Sequence, residues 1–121
     1  MPSEKTHSPL QRIEDILDNI DRVRTFVEGY DFSSFVADHR TLYAVTRALE
    51  IVSEASRHLP VDIKARFPQI DWRGIAAVGN VYRHGYDSID NVFVWDVVIR
   101  DLEPLRLAML SELQSLGVPR N

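Results

Sequence analysis

The 121-residue chain has no cysteine, which excludes disulfide frameworks, cysteine-ligated zinc, iron–sulfur clusters and thiol catalysis. It has no apolar run near the ~20 residues that cross a bilayer. Its opening stretch, MPSEKTHSPLQRIEDIL, is too polar and charged for a signal sequence. Together these absences predict a soluble, cytoplasmic protein with no membrane contact. Positive charge is short as well: 14 Lys and Arg against 18 Asp and Glu leave a formal net charge of −4. Proteins that hold nucleic acid by charge alone are basic, because affinity comes from neutralising phosphates. Any contact with RNA or DNA must therefore come from a local patch on an acidic body. No Gly-rich phosphate loop is present. His7, His39, His58 and His84 show no ligand spacing with one another, and there is no HExxH motif or paired-carboxylate cluster. Neither a metal nor a cofactor is indicated.

The chain has an ordinary apolar fraction, 45%, and a charged fraction of 26%, which suit one globular domain over residues 1–121. Residues 1–7 read as a disordered tail outside it. A chain of this length buries roughly two-thirds of its unfolded surface, enough for its own core. The apolar pattern is helical throughout. Leu10, Ile13, Ile16, Leu17, Ile20, Val23 and Val27 recur in steps of three and four, with Ser8 as a cap, Pro9 at the first helical position and Gly29 as a stop. A short helix over 32–37 follows, capped by Asp31 or Ser33. Asp38 caps a long helix that ends before Pro60. One or two turns cover 61–67, and Asp71 caps a helix running from Trp72 to about His84, closed by Gly85. Asp90 caps a last long helix with apolar positions Val94, Val97, Val98, Leu102, Leu105, Leu110, Leu113 and Leu116, which Pro104 should kink or restart. The expected architecture is an all-α, up-and-down bundle of four or five helices.

Most of these residues read as packing; the stretch DWRGIAAVGNVYRHGYDSID (71–90) does not. It concentrates Trp72, Arg73, Asn80, Tyr82, Arg83, His84, Tyr86 and Asp87. On a helix Asn80 and His84 share a face, whereas Arg73 lies about 16 Å below His84 at 1.5 Å per residue. A histidine among guanidinium groups and hydroxyls suits phosphodiester cleavage. The imidazole titrates near neutrality and can take the proton of a ribose 2′-hydroxyl, while an arginine or amide steadies the charge growing on phosphorus. The plainer account is that His84 caps a helix C-terminus and complements its dipole. Likewise Arg47, Glu50, Glu54 and Arg57 most simply form exposed ion pairs, and Trp72 and Trp95 are core aromatics.

The order of signals resembles the HepT-like group of HEPN ribonuclease toxins over nearly the whole chain. QRIEDILDNIDRVRTFVEG is similar to the family's first helix, TLYAVTRALEIVSEASRHLP to its second long helix, IDWRGIAAVGNVYRHGYDSID to its active-site segment and VFVWDVVIRDLEPLRLAML to its closing helix. The family motif is an arginine, four to six residues, a histidine, one residue and a tyrosine. His84 and Tyr86 match it, and Asn80 matches the asparagine that often follows the arginine. The arginine's own position holds Gly79.

The resemblance implies a HEPN-type homodimer whose motif helices face each other, so that Arg73 or Arg83 of one chain can serve His84 of the other. It implies the toxin of a type VII-like toxin–antitoxin pair, a metal-independent RNA endonuclease with RNA as substrate. The expected catalytic residues are His84 as general base, Arg83 as phosphate stabiliser and Asn80 as positioning donor; the expected substrate contacts are Arg73, Tyr86 and Arg47. The implied partner is a minimal nucleotidyltransferase antitoxin, forming a hetero-oligomer and transferring AMP to Tyr86. The alternative is a catalytically degenerate HEPN dimer that only binds such a nucleotidyltransferase.

Overall fold

Five of the helices begin where the sequence offers a side chain to accept an orphaned backbone N–H. In the computed structural model, which describes residues 8–80 and 90–120, Ser8 Oγ accepts the Gln11 amide (3.1 Å) at the start of α1, Pro9–Phe26. Gly29 follows with φ +80°, the left-handed conformation that a β-carbon disfavours. Asp31 and Ser34 form a reciprocal capping box at α2, Phe32–Ala37. Asp38 accepts the Thr41 amide (3.2 Å) at the start of α3, His39–Arg57. The single short turn α4, Val61–Ala65, follows Pro60.

Asp38 also accepts the Tyr30 hydroxyl (2.5 Å) and the Thr41 hydroxyl (2.9 Å). Tyr30, then the amide and hydroxyl of Thr41, hold its carboxyl down at about 2. A hollow of about 630 Å³ beside this group is lined by Gly29, Tyr30, Ser34, Ala37, Asp38 and His39. The carboxylate there is fully engaged in joining the α1–α2 turn to α3.

The core lies between α1 and α3, which pack along their length through Ile13, Ile16, Ile20 and Val23 on one side and Val45, Leu49 and Val52 on the other. Phe35 of α2 closes one end of this layer against Trp95, ring centroids 4.8 Å apart. Trp72 and Trp95 are both half-buried against the core, as aromatics of amphipathic helices should be. The Trp72 indole N–H donates to the Phe67 carbonyl (3.1 Å). Among the described residues all regular structure is helical, and no helix is long and apolar enough to cross a membrane.

The closing helix is where local chemistry changes the expected pattern. Asp90 caps α6, Asn91–Asp96, as its sequence predicts. The helix then widens into a π segment, Val97–Asp101, before α7, Leu102–Ser115. The Leu102 amide bonds to the Val97 carbonyl, five residues back. Pro104 supplies the physical reason: it lacks an N–H, and its ring would collide with the carbonyl four residues earlier. An inserted residue relieves that crowding without breaking the rod. The buried positions accordingly step by five from Val97 to Leu102 and then continue through Leu105, Met109 and Leu113. One expected core position fails: Leu116, the C-cap beyond α7, is 53% exposed.

Beside these apolar positions α7 buries one charge. Glu112 accepts both Nε (3.2 Å) and Nη2 (2.5 Å) of Arg66, at the end of α4. Its side chain is only 3% exposed. This two-pronged pair fastens the end of α4 to the closing helix.

Candidate functional site

Asp71 accepts the Gly74 amide (3.0 Å) and starts α5, Trp72–Val78. The helix expected to run to about His84 stops at Val78. Gly79 and Asn80 form a turn in which the Asn80 amide bonds to the Ala77 carbonyl (3.0 Å). Asn80 is exposed and follows the end of α5, and its expected shared face with His84 lies outside the described residues. Arg83, His84 and Tyr86, with Tyr82 and Gly85, lie outside the described residues.

Tertiary contact explains the glycine at the end of α5. Gly79 is buried with φ −71°, a value open to any residue; it is proximity to α3 that demands glycine. A β-carbon at position 79 would come within 2.7 Å of Ser53 Cβ and closer still to its hydroxyl. That hydroxyl in turn donates to the Ala76 carbonyl (2.8 Å), so α5 docks on α3 through backbone and a small side chain.

Position 79, where the sequence resemblance expects an arginine, therefore has no room for a side chain, yet a guanidinium stands beside it. Arg57 Nη1 lies 3.6 Å from where that β-carbon would be. It donates to Ser53 Oγ (3.0 Å) and to the Ala76 carbonyl (3.4 Å) near the α5 C-terminus, where a cation is also favoured by the helix dipole. Its Nη2 pairs with Glu54, whose other oxygen meets His58 Nε2 (2.9 Å). Burial works to raise the Glu54 carboxyl, but His58 and Arg57 outweigh it and lower its pKa.

A groove of about 360 Å³ opens in front of Arg57. Arg12 and Asp15 of α1 form one wall, Arg47, Glu50, Ile51, Glu54 and Ala55 of α3 the other, and Gly79 closes the end. Arg47, expected as a substrate contact, is on this groove, where its Nη1 pairs with Glu50 at 3.1 Å. Arg73 is exposed in the first turn of α5 and is not among the residues that line it. Among the described residues, no three His, Cys, Asp or Glu come together as metal ligands.

Residues 16–111 match the family model described as ribonuclease HepT-like. The chain belongs to the HepT-like ribonuclease family. Its relatives include "Probable ribonuclease HepT" of Thermococcus cleftensis, 36% identical over 94 residues, which are 78% of this chain and 86% of that protein. They also include "Putative RNase MJ1380" of Methanocaldococcus jannaschii, 34% identical over 92 residues, 76% of this chain and 84% of that protein. "Putative RNase TTE0752" of Caldanaerobacter subterraneus is 26% identical over 107 residues, 88% and 96% of the two chains. No solved structure is a significant match. Gly79 stands at a place where this fold packs backbone against α3. The sequence pattern reads Arg57 as part of an exposed ion pair and singles out no role for Arg12. Neither has a local signal, because only the α1–α3 and α3–α5 contacts bring them to Gly79.

Proposed function

We propose that this HepT-like chain is a metal-independent RNA endonuclease and the toxin of a type VII-like toxin–antitoxin pair. Family membership across residues 16–111 carries the reading, together with the His84-Gly85-Tyr86 element that follows α5 in sequence. In the proposed step, the His84 imidazole takes the proton of a ribose 2′-hydroxyl. The freed oxygen attacks the adjacent phosphorus, and the bond to the 5′-oxygen breaks. Arg83, or Arg73 of a second protomer, steadies the phosphorane charge. Asn80 positions the phosphate, with Tyr86 and Arg47 as further substrate contacts.

Residues 1–121 form one domain, working in the cytoplasm as a homodimer. The partner is a minimal nucleotidyltransferase antitoxin that binds the dimer and places AMP on Tyr86, an anionic group that blocks phosphate entry. On overexpression without that partner, the wild type is expected to arrest growth and a folded His84→Ala variant to permit it. Arrest that persists unchanged in His84→Ala removes His84 from the reaction.

A second reading has one observation in its favour. Because Gly79 leaves no space for the motif arginine, the chain fits a degenerate HepT-like dimer that retains only antitoxin binding. Absence of growth arrest by folded wild type favours this reading.

A further inference from the structure

We propose that the groove between α1 and α3 binds a phosphodiester of the RNA substrate through Arg12 and Arg57; this rests on the ribonuclease reading above. Three observations on the described residues lead there. Gly79 leaves the end of the groove free of any side chain, and Arg57 projects its guanidinium alongside. That guanidinium is held in place by Ser53 Oγ and the Ala76 carbonyl, with its side chain 33% exposed. Such anchoring lowers the entropy lost when a long side chain grips a ligand. On the facing wall, Arg12 makes no ion pair among the described residues, and its Nε is buried without a hydrogen-bond partner. A buried donor with no acceptor is costly and calls for one.

The groove carries three arginines and three carboxylates, and two of each are already paired with one another inside it. Asp15 accepts Gln11 Nε2 (2.9 Å), Glu50 accepts Arg47, and Glu54 is shared by Arg57 and His58. Arg12 is the one arginine of the three with no ion pair among the described residues, which leaves its guanidinium open to an incoming anion. A phosphodiester brings one negative charge and two non-bridging oxygens, which match the N–H pairs of a guanidinium. The groove's size falls within the roughly 300–1,000 Å³ of small-ligand clefts. Arg57 therefore supplies, from α3, the type of group the family places at position 79.

The test is the affinity of the full chain for a short single-stranded RNA whose ribose 2′-oxygens are methylated, so that it cannot be cut. It is read by fluorescence anisotropy over a salt series. Arg12→Gln and Arg57→Gln are each expected to weaken binding about tenfold. Each should also flatten the dependence of log affinity on log salt by about 0.7, the loss of one phosphate contact on a single strand. Arg100→Gln, which removes an exposed cation paired with Asp96 away from the groove, should bind as wild type. Should Arg57→Gln fail to fold, Arg12→Gln alone decides. Wild-type affinity and salt slope in folded Arg12→Gln overturn the proposal, even where the enzyme still cleaves RNA. A change in oligomeric state with RNA affinity intact also overturns it and makes the groove a protein contact. A wild type that neither binds this RNA nor cleaves the unmodified one instead rejects the ribonuclease reading itself.

Discussion

Gly79→Arg, which puts an arginine where the sequence resemblance expects one, is expected to weaken the fold and leave RNA cleavage no higher. A β-carbon at this position collides with Ser53 before the rest of the side chain is considered. Because Ser53 is fully buried in α3 and holds the Ala76 carbonyl, relief requires α5 to move away from α3. Overpacking of this kind costs about 1–3 kcal/mol. Gly79→Ala isolates the collision from the added charge and should lose a similar amount, measured as a fall in the urea midpoint. The displaced helix end also takes the Ala76 carbonyl away from Arg57, so the anchored guanidinium is disturbed while a second is added. A Gly79→Arg protein as stable as wild type and faster on RNA would show that α5 can swing aside, and would make the glycine a lost function and not a packing requirement.

Arg66→Ala should be the most damaging change at the surface of the bundle. It strips both hydrogen bonds from a carboxylate whose side chain is 3% exposed. Removing one member of a buried pair leaves an uncompensated charge and costs about 3–5 kcal/mol. Arg66 is itself half-exposed, which lets water reach the vacated side and puts the expected loss below that of a fully buried pair. Arg106 and Glu103 provide the contrast, with two hydrogen bonds of 2.9 and 2.7 Å but a carboxylate that is 53% exposed. Arg106→Ala should cost less than about 1 kcal/mol. Combining Arg66→Met with Glu112→Leu should recover most of the stability, because two apolar side chains can replace a buried pair with little loss. Equal urea midpoints for Arg66→Ala and Arg106→Ala would show that burial of Glu112 carries no penalty.

What could be read from the sequence was local. Ser8, Asp31, Asp38, Asp71 and Asp90 each cap the helix their spacing predicts, because a cap is a contact between residues two or three apart. The apolar stripes of α1 and α3 follow from period alone. Where distant parts of the chain meet, the pattern gave way. The helix from Trp72 stops at Val78, where Gly79 lies against Ser53, 26 residues earlier in the chain, and periodicity carries no trace of that approach. Pro104 signalled a disturbance, but its form, a π segment that shifts the buried face, depends on keeping Leu102, Leu105 and Met109 in the core.

The site divides along the same line. His84 and Tyr86 stood out through a motif in sequence, whereas Arg12 and Arg57 come to the groove only through the packing of α1, α3 and α5. Arg47 reaches that groove as expected, and Arg73 is exposed in the first turn of α5 outside its lining. An arginine missing from its motif position is thus a poor guide to whether a guanidinium is present in space.

The most direct measurement is cleavage of RNA by purified wild type beside His84→Ala, with EDTA present and both proteins verified as folded. Wild type should cut RNA in EDTA, and His84→Ala should be slower by about 10²-fold or more, the usual scale of a lost general base. Cleavage at the same rate in both proteins, or none by folded wild type on several RNAs, would contradict a metal-independent ribonuclease built on His84.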